Sequence, residues 1–121
     1  MAGRPDMWMP LFIGDYKRDT SRLTRDQHGG YLLLIMDYWV NGPPPDDDVQ
    51  LAVIAQASLA EWQKTLRSRL SPFFQVIDGR WRHKRIDREL ERAVALYEQR
   101  KAAGLASATA RRRQRFRKVD V

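Results

Sequence analysis

Cysteine is missing from all 121 residues, which removes disulfides, thiolate chemistry and Cys-ligated zinc together. Histidine is nearly as scarce. His28 and His83 are the only two, they fall in unrelated segments, and neither has a metal-ligand spacing around it. The longest apolar run, YLLLIM at 31–36, falls far short of the roughly 20 residues that span a membrane. Pro10 interrupts the apolar patch of the opening MAGRPDMWMPLFIG, which also lacks the basic start of a signal peptide. There is no Gly-rich phosphate loop and no nucleophile elbow. These absences predict a soluble cytoplasmic protein that is not an enzyme, binds no metal or cofactor and has no membrane partner.

Aromatics and cations are plentiful instead. Four Trp, four Tyr and four Phe, with 43% hydrophobic residues, are enough for one modest core at this length. The net charge of +7 is unevenly placed. Residues 1–79 hold 8 Lys+Arg and 10 Asp+Glu, residues 80–121 hold 14 and 5. A near-neutral body with a basic end points to a polyanionic partner.

Along the chain, WMPLFIGDY at 8–16 reads as an extended arm or edge strand, because Pro10 and Gly14 interrupt it. Thr24 and Gln27 have the spacing of a capping box, and Asn41-Gly42 stops the run, so a helix is expected from about 25 to 41. Leu32, Ile35, Met36 and Trp39 make one stripe of it, and Tyr31, Leu34 and Tyr38 another. Such a helix is central and covered on two sides. Gly29-Gly30 inside it implies a close approach of backbone, assigned here to the arm.

The acidic run Asp46–Asp48 suits the N-terminus of a helix over 48–56 better than a calcium loop, since it lacks the spaced ligands and central Gly. Ser58-x-x-Glu61 opens another helix through about 70, with Leu59, Trp62, Leu66 and Leu70 inward and Gln63, Lys64 and Arg67 outward. FFQVI, Asp78-Gly79 and RWRHKRI, residues 73–86, read as a hairpin. A last helix is expected over 87–104, stopped by Gly104, and then a basic, flexible tail over 105–121. The order helix, helix, tight turn, helix, hairpin is that of a winged helix. The expectation is therefore a mainly α fold with a small β-hairpin, a winged helix-turn-helix forming one domain over 1–104. Its parts are an arm over 7–20, a core over 21–86 and the C-terminal helix.

DNA recognition needs long hydrogen-bonding side chains on a helix held by a core, and Gln63, Lys64 and Arg67 have that placement. At a strand period of two, Arg80, Arg82 and Lys84 share one face of the hairpin while Trp81 packs inward. Those three would hold phosphate, and Arg111, Arg112 and Arg113 would add steering. The competing reading of the same charges is a solvated face or a protected sheet edge.

MPLFIGDY (9–16), Asp19-Thr20, L-T-x-x-x-H-G-x-Y-L-L-L (23–34), Trp39, DDD (46–48), L-x-x-I-A (51–55), Trp62 and DGRWRHKRIDREL (78–90) resemble the YdaU-like family. The resemblance implies a phage- or prophage-associated domain of unassigned biochemical function, similar to the winged-helix N-terminal part of replisome organisers. It brings no catalytic residues. The combined expectation is a DNA-binding protein of replication initiation or transcriptional regulation. The alternative is a module that binds or inhibits a host or phage protein of replication or defence. A homodimer is compatible with either.

Overall fold

The computed structural model describes residues 8–119, with side chains to 115. Residues 8–89 form one compact body, and 90–119 belong to a second unit. Each is described by itself.

The body opens with a correction to the expected arm. Residues 8–12 have no regular structure, but Ile13–Asp19 is a helix, α1. Asp15 in its first turn and Lys17 and Arg18 in its last complement the helix dipole. Thr20 closes it, its backbone N–H donating to the Tyr16 carbonyl at 3.0 Å. Two long-range contacts seat it: Arg85 donates to Asp15 at 2.7 Å, and the Tyr16 hydroxyl meets His28 Nδ1 at 2.7 Å.

α2, Arg25–Asn41, starts on the predicted capping box and ends at Gly42, which takes a φ of 90°. Its buried side is a single broad stripe: Gln27, Gly30, Tyr31, Leu34, Ile35, Tyr38 and Trp39. Met36 of the first expected stripe is exposed, so the expectation of a helix covered on two sides fails there. The expected close approach of backbone at the glycine pair is not found; the side chains of Leu66 and Leu70 pack there instead. A Cβ on Gly30 would stand 3.4 Å from Leu70 and 3.5 Å from Leu66, whereas Gly29 faces open space.

α3, Asp48–Ile54, is capped by Asp47, whose side chain accepts from the Val49 N–H. It ends two residues before the expected 56. Ala57 N–H bonds the Ala52 carbonyl and Gln56 N–H that of Val53, a Schellman closure with Gln56 rather than glycine at the left-handed position, φ 56°.

The helical stretch 59–70, α4, is α-helical at Leu59–Glu61, π-helical at Trp62–Leu66 and α-helical again at Arg67–Leu70. Ser58 caps it, accepting from the Glu61 N–H at 3.1 Å. The wider turn suits burial at every fourth residue, Trp62, Leu66 and Leu70. Leu59, three residues before Trp62, falls off that stripe and is exposed, contrary to expectation.

Ser71–Phe73 is a 3₁₀ turn, leading to β1, Gln75–Ile77, antiparallel to β2, Arg80–Arg82. Asp78 and Gly79 both have positive φ, 53° and 72°, the type I′ geometry that matches strand twist. The strands are shorter than the expected 73–77 and 80–86, because Phe73 stays in the 3₁₀ turn and Lys84 already belongs to the next helix. The outer edge of β2 is occupied: Trp81 N–H donates to Pro44 and Asp46 N–H to Gly79.

α5 runs Lys84–Val119. The expected stop at Gly104 is overturned, since 105–119 continue the helix; the last two residues of the expected tail lie outside the described residues. One interior glycine costs about 1 kcal/mol against Ala. Helix-forming Ala and Arg residues on both sides, AA at 102–103 and ASATARRRQR at 106–115, offset that cost. Among the described residues no helix is long and apolar enough to cross a membrane, and no cluster of His or acidic side chains could hold a metal.

Candidate functional site

The acidic run forms a knot around one arginine. Arg67 reaches Asp48 at 2.6 Å and Asp46 at 3.0 Å. The same carboxylates accept from two buried indoles, Trp62 Nε1 to Asp48 at 2.9 Å and Trp81 Nε1 to Asp46 at 2.8 Å. The guanidinium also lies 5.3 Å from the Trp81 ring centroid, within cation–π range. The Trp81 indole and then Arg67 hold Asp46 below the usual carboxylate range, as the Trp62 indole and then Arg67 do Asp48. Burial alone would lower the Arg67 value, but the hydrogen bonds it donates to Asp48 and Asp46 outweigh it and leave the value raised. Capping explains only Asp47. Asp46 and Asp48 fix the hairpin to α4.

This changes what the predicted base-reading and phosphate-binding side chains have to offer. Arg67 is committed to two carboxylates, and Gln63 leans on Asp48 at 3.4 Å. Lys64 is exposed on the π turn. Arg80 donates to the Pro43 carbonyl at 2.9 Å and Arg82 pairs with Asp87 at 3.1 Å. Lys84 is exposed but sits in the first turn of α5, off the strand that was to carry it. Trp81 is buried as expected, 1% exposed. The hairpin therefore brings together Arg80 and Arg82, both engaged, and not a row of three free cations.

Arg111, Arg112 and Arg113 are exposed on α5. In 90–119 there are 9 Lys+Arg and 2 Asp+Glu, against 13 and 12 in residues 1–89. Every side chain from 95 to 115 is solvent-exposed. The basic end is helical as far as Val119.

One feature of the body went unnoticed in the sequence, a cavity of about 370 Å³ between residues 9–12, α2, the Phe73-Phe74 corner and the start of α5. Tyr31 and His83 line it, hydrogen-bonded at 2.8 Å. Burial raises the Tyr31 pKa to about 12 and lowers that of His83, against the pull of Asp87. The adjacent aromatics Phe73-Phe74 and the run RHKR were its only sequence signals, and each belonged to a separate element.

A family model described as a protein of unknown function (DUF1376) matches residues 7–91. The uncharacterized protein YdaU of Escherichia coli (strain K12) is 38% identical over 112 residues, which is 93% of this chain and 38% of that relative. The chain thus spans well under half the length of the relative it matches. No solved structure matches it.

Proposed function

The chain belongs to the DUF1376 family of proteins of unknown function, and we propose that it is a nucleic-acid-binding protein whose principal polyanion contact is the C-terminal helix. The observation that carries this is the placement of charge: 9 cations against 2 carboxylates in 90–119, with the side chains of 95–115 exposed. A helix displaying Arg100, Lys101, Arg111, Arg112, Arg113 and Arg115 can neutralise several phosphates without reading bases. The hairpin and α4 play a secondary part, since Arg67 and Arg82 are held by carboxylates, while Lys64 and Arg69 of α4 are exposed. The order α3, tight turn, α4, hairpin supports a winged helix-turn-helix reading of the body. A role in replication initiation or transcriptional regulation, in a protein of phage or prophage origin, fits that reading.

If about five cations meet phosphates, log affinity falls with log salt at a slope of roughly −4 to −5. Replacing Arg111, Arg112 and Arg113 together by Gln should flatten the slope by about 2 to 3 units and weaken all sequences alike. A mobility-shift assay at low salt that stays flat with both duplex and single strands would sink the proposal.

A second reading, a protein-interaction module, is favoured by one observation. Trp8, Leu11, Phe12 and Ile13 are exposed to 72, 39, 46 and 63%, a run of large apolar groups of the kind that anchors interfaces. A complex with a protein that survives nuclease and high salt, and is lost in Trp8→Ala, would establish it.

A further inference from the structure

We propose that the cavity of the body accepts an unpaired nucleotide, so that the protein favours single-stranded over duplex nucleic acid. This rests on the nucleic-acid reading above and deepens it by naming the strandedness.

The volume, about 370 Å³, is within the roughly 300–1,000 Å³ of small-molecule sites. Its walls are rich in rings. Phe73 lies 4.9 Å from Tyr31, centroid to centroid, and Phe74 lies 5.2 Å from His83. At the side formed by residues 9–12, the Arg85 guanidinium sits 4.7 Å from the Phe12 ring centroid, a flat cationic surface on an exposed ring. Planar groups stack on such surfaces whatever their sequence.

The polar chemistry of the wall has a direction. Ile86 N–H donates to His83 Nδ1 at 3.2 Å, which makes that nitrogen the acceptor and leaves Nε2 to carry the proton of the neutral ring. Nε2 then donates to the Tyr31 oxygen at 2.8 Å. The Tyr31 hydroxyl hydrogen is not used in that bond, and among the described residues nothing accepts it. A base carbonyl is an acceptor of the right kind.

Charge selects among planar ligands. Among the described residues the lining carries four cations, Arg82, Lys84, Arg85 and Arg88, against two carboxylates, Asp19 and Glu89. Arg82 and Arg85 are tied to Asp87 and Asp15, while Lys84 and Arg88 are exposed with no ion pair among the described residues. A stacked ring flanked by phosphates meets all three features. A base inside a duplex cannot, because its faces are already covered.

The test is fluorescence anisotropy on the full chain, at low salt. The probes are labelled oligothymidylate of about twelve nucleotides, within the 4–16 of single-strand sites, and a duplex of equal length. Wild type should bind the single strand more tightly. Phe73→Ala should weaken the strand about fivefold or more, the lower end of stacking losses, and leave duplex affinity within twofold. An abasic strand should bind wild type as weakly as the intact strand binds Phe73→Ala. Lys84→Gln, at an exposed position, should also weaken the strand selectively and keeps the test alive should Phe73→Ala not fold. Equal losses on strand and duplex, no loss on either, or displacement of the strand by a peptide with a terminal aromatic carboxylate better than by thymidine monophosphate would overturn the cavity as a nucleotide site. Absence of binding to both probes in wild type would instead remove the nucleic-acid reading itself.

Discussion

Asp46 shows how much one side chain can hold. It accepts from the Trp81 indole at 2.8 Å and from Arg67 at 3.0 Å. Asp46→Ala strands the N–H of an indole that is only 1% exposed. A buried donor left unsatisfied costs about 1–3 kcal/mol, which urea unfolding should show as a lower midpoint at unchanged slope. Asp46→Asn keeps an acceptor and should lose less. Acid acts on the same knot. Asp46 and Asp48 titrate below their ordinary 3.8 in the folded protein. Their contribution is fully present above that value and is lost as pH falls through the lower native ones, because the unfolded chain takes up protons first. His83 adds a gentler loss at higher pH. Its native value is held below 6.5 by burial, so from about 6.5 downward the unfolded state again binds the extra proton. His83→Gln should abolish that upper limb in a series of unfolding curves and leave the acid limb in place.

At the scale of the element, the two glycines of α2 separate propensity from packing. Gly29→Ala meets open space and should stabilise by up to about 1 kcal/mol, the propensity difference of a helix interior. Gly30→Val would push branches into Leu66 and Leu70, already 3.4–3.7 Å from a bare Cβ, and should destabilise by about 1–3 kcal/mol, as overpacking does. Thermal unfolding of the two variants should move in opposite directions. The sequence showed that something special happens at 29–30 but not which partner comes close, since Leu66 and Leu70 are 36 and more residues away. The same division holds elsewhere. Thr24 with Gln27, Ser58 with Glu61 and the Asp78-Gly79 turn were readable because each acts over three residues or fewer. α1 was missed because it is stabilised from a distance, through Asp15–Arg85 and Tyr16–His28. The π turn in α4 left no local mark, and it moved Leu59 off the buried stripe. Gly104 was over-read as a stop, because a C-cap glycine needs a chain that turns away, whereas here helix formers continue on both sides.

The molecule as a whole divides its labour by charge. Residues 1–89 carry +1 and 90–119 carry +7, and in the described body Arg18, Arg67, Arg82 and Arg85 are ion-paired with carboxylates. Limited trypsin digestion should therefore cut first within the exposed stretch 95–115, after Arg100, Lys101 or Arg111 to Arg113. Arg67 and Arg82, ion-paired and on the packed body, should be cut late. Fragments found first from cleavage after Arg67 would contradict this division. The cavity lay beyond sequence reading for the reason the knot did: each is assembled from stretches far apart in the chain. Yet the residues that carry the family resemblance are the ones that meet there. Asp46, Asp48, Trp62 and Trp81 of the motifs make the knot, and Phe12, Tyr31, His83 and Arg85 border the cavity. For the knot this has a hereditary consequence. Asp46, Asp48 and Arg67 each bond two other members and each indole donates to one carboxylate, so no single change is neutral. Losing Asp48 strands the Trp62 indole and half of Arg67, and losing Arg67 leaves two carboxylates facing each other. Lineages that keep any one of the five should keep all of them, and a descendant that abandons the knot must replace it as a block.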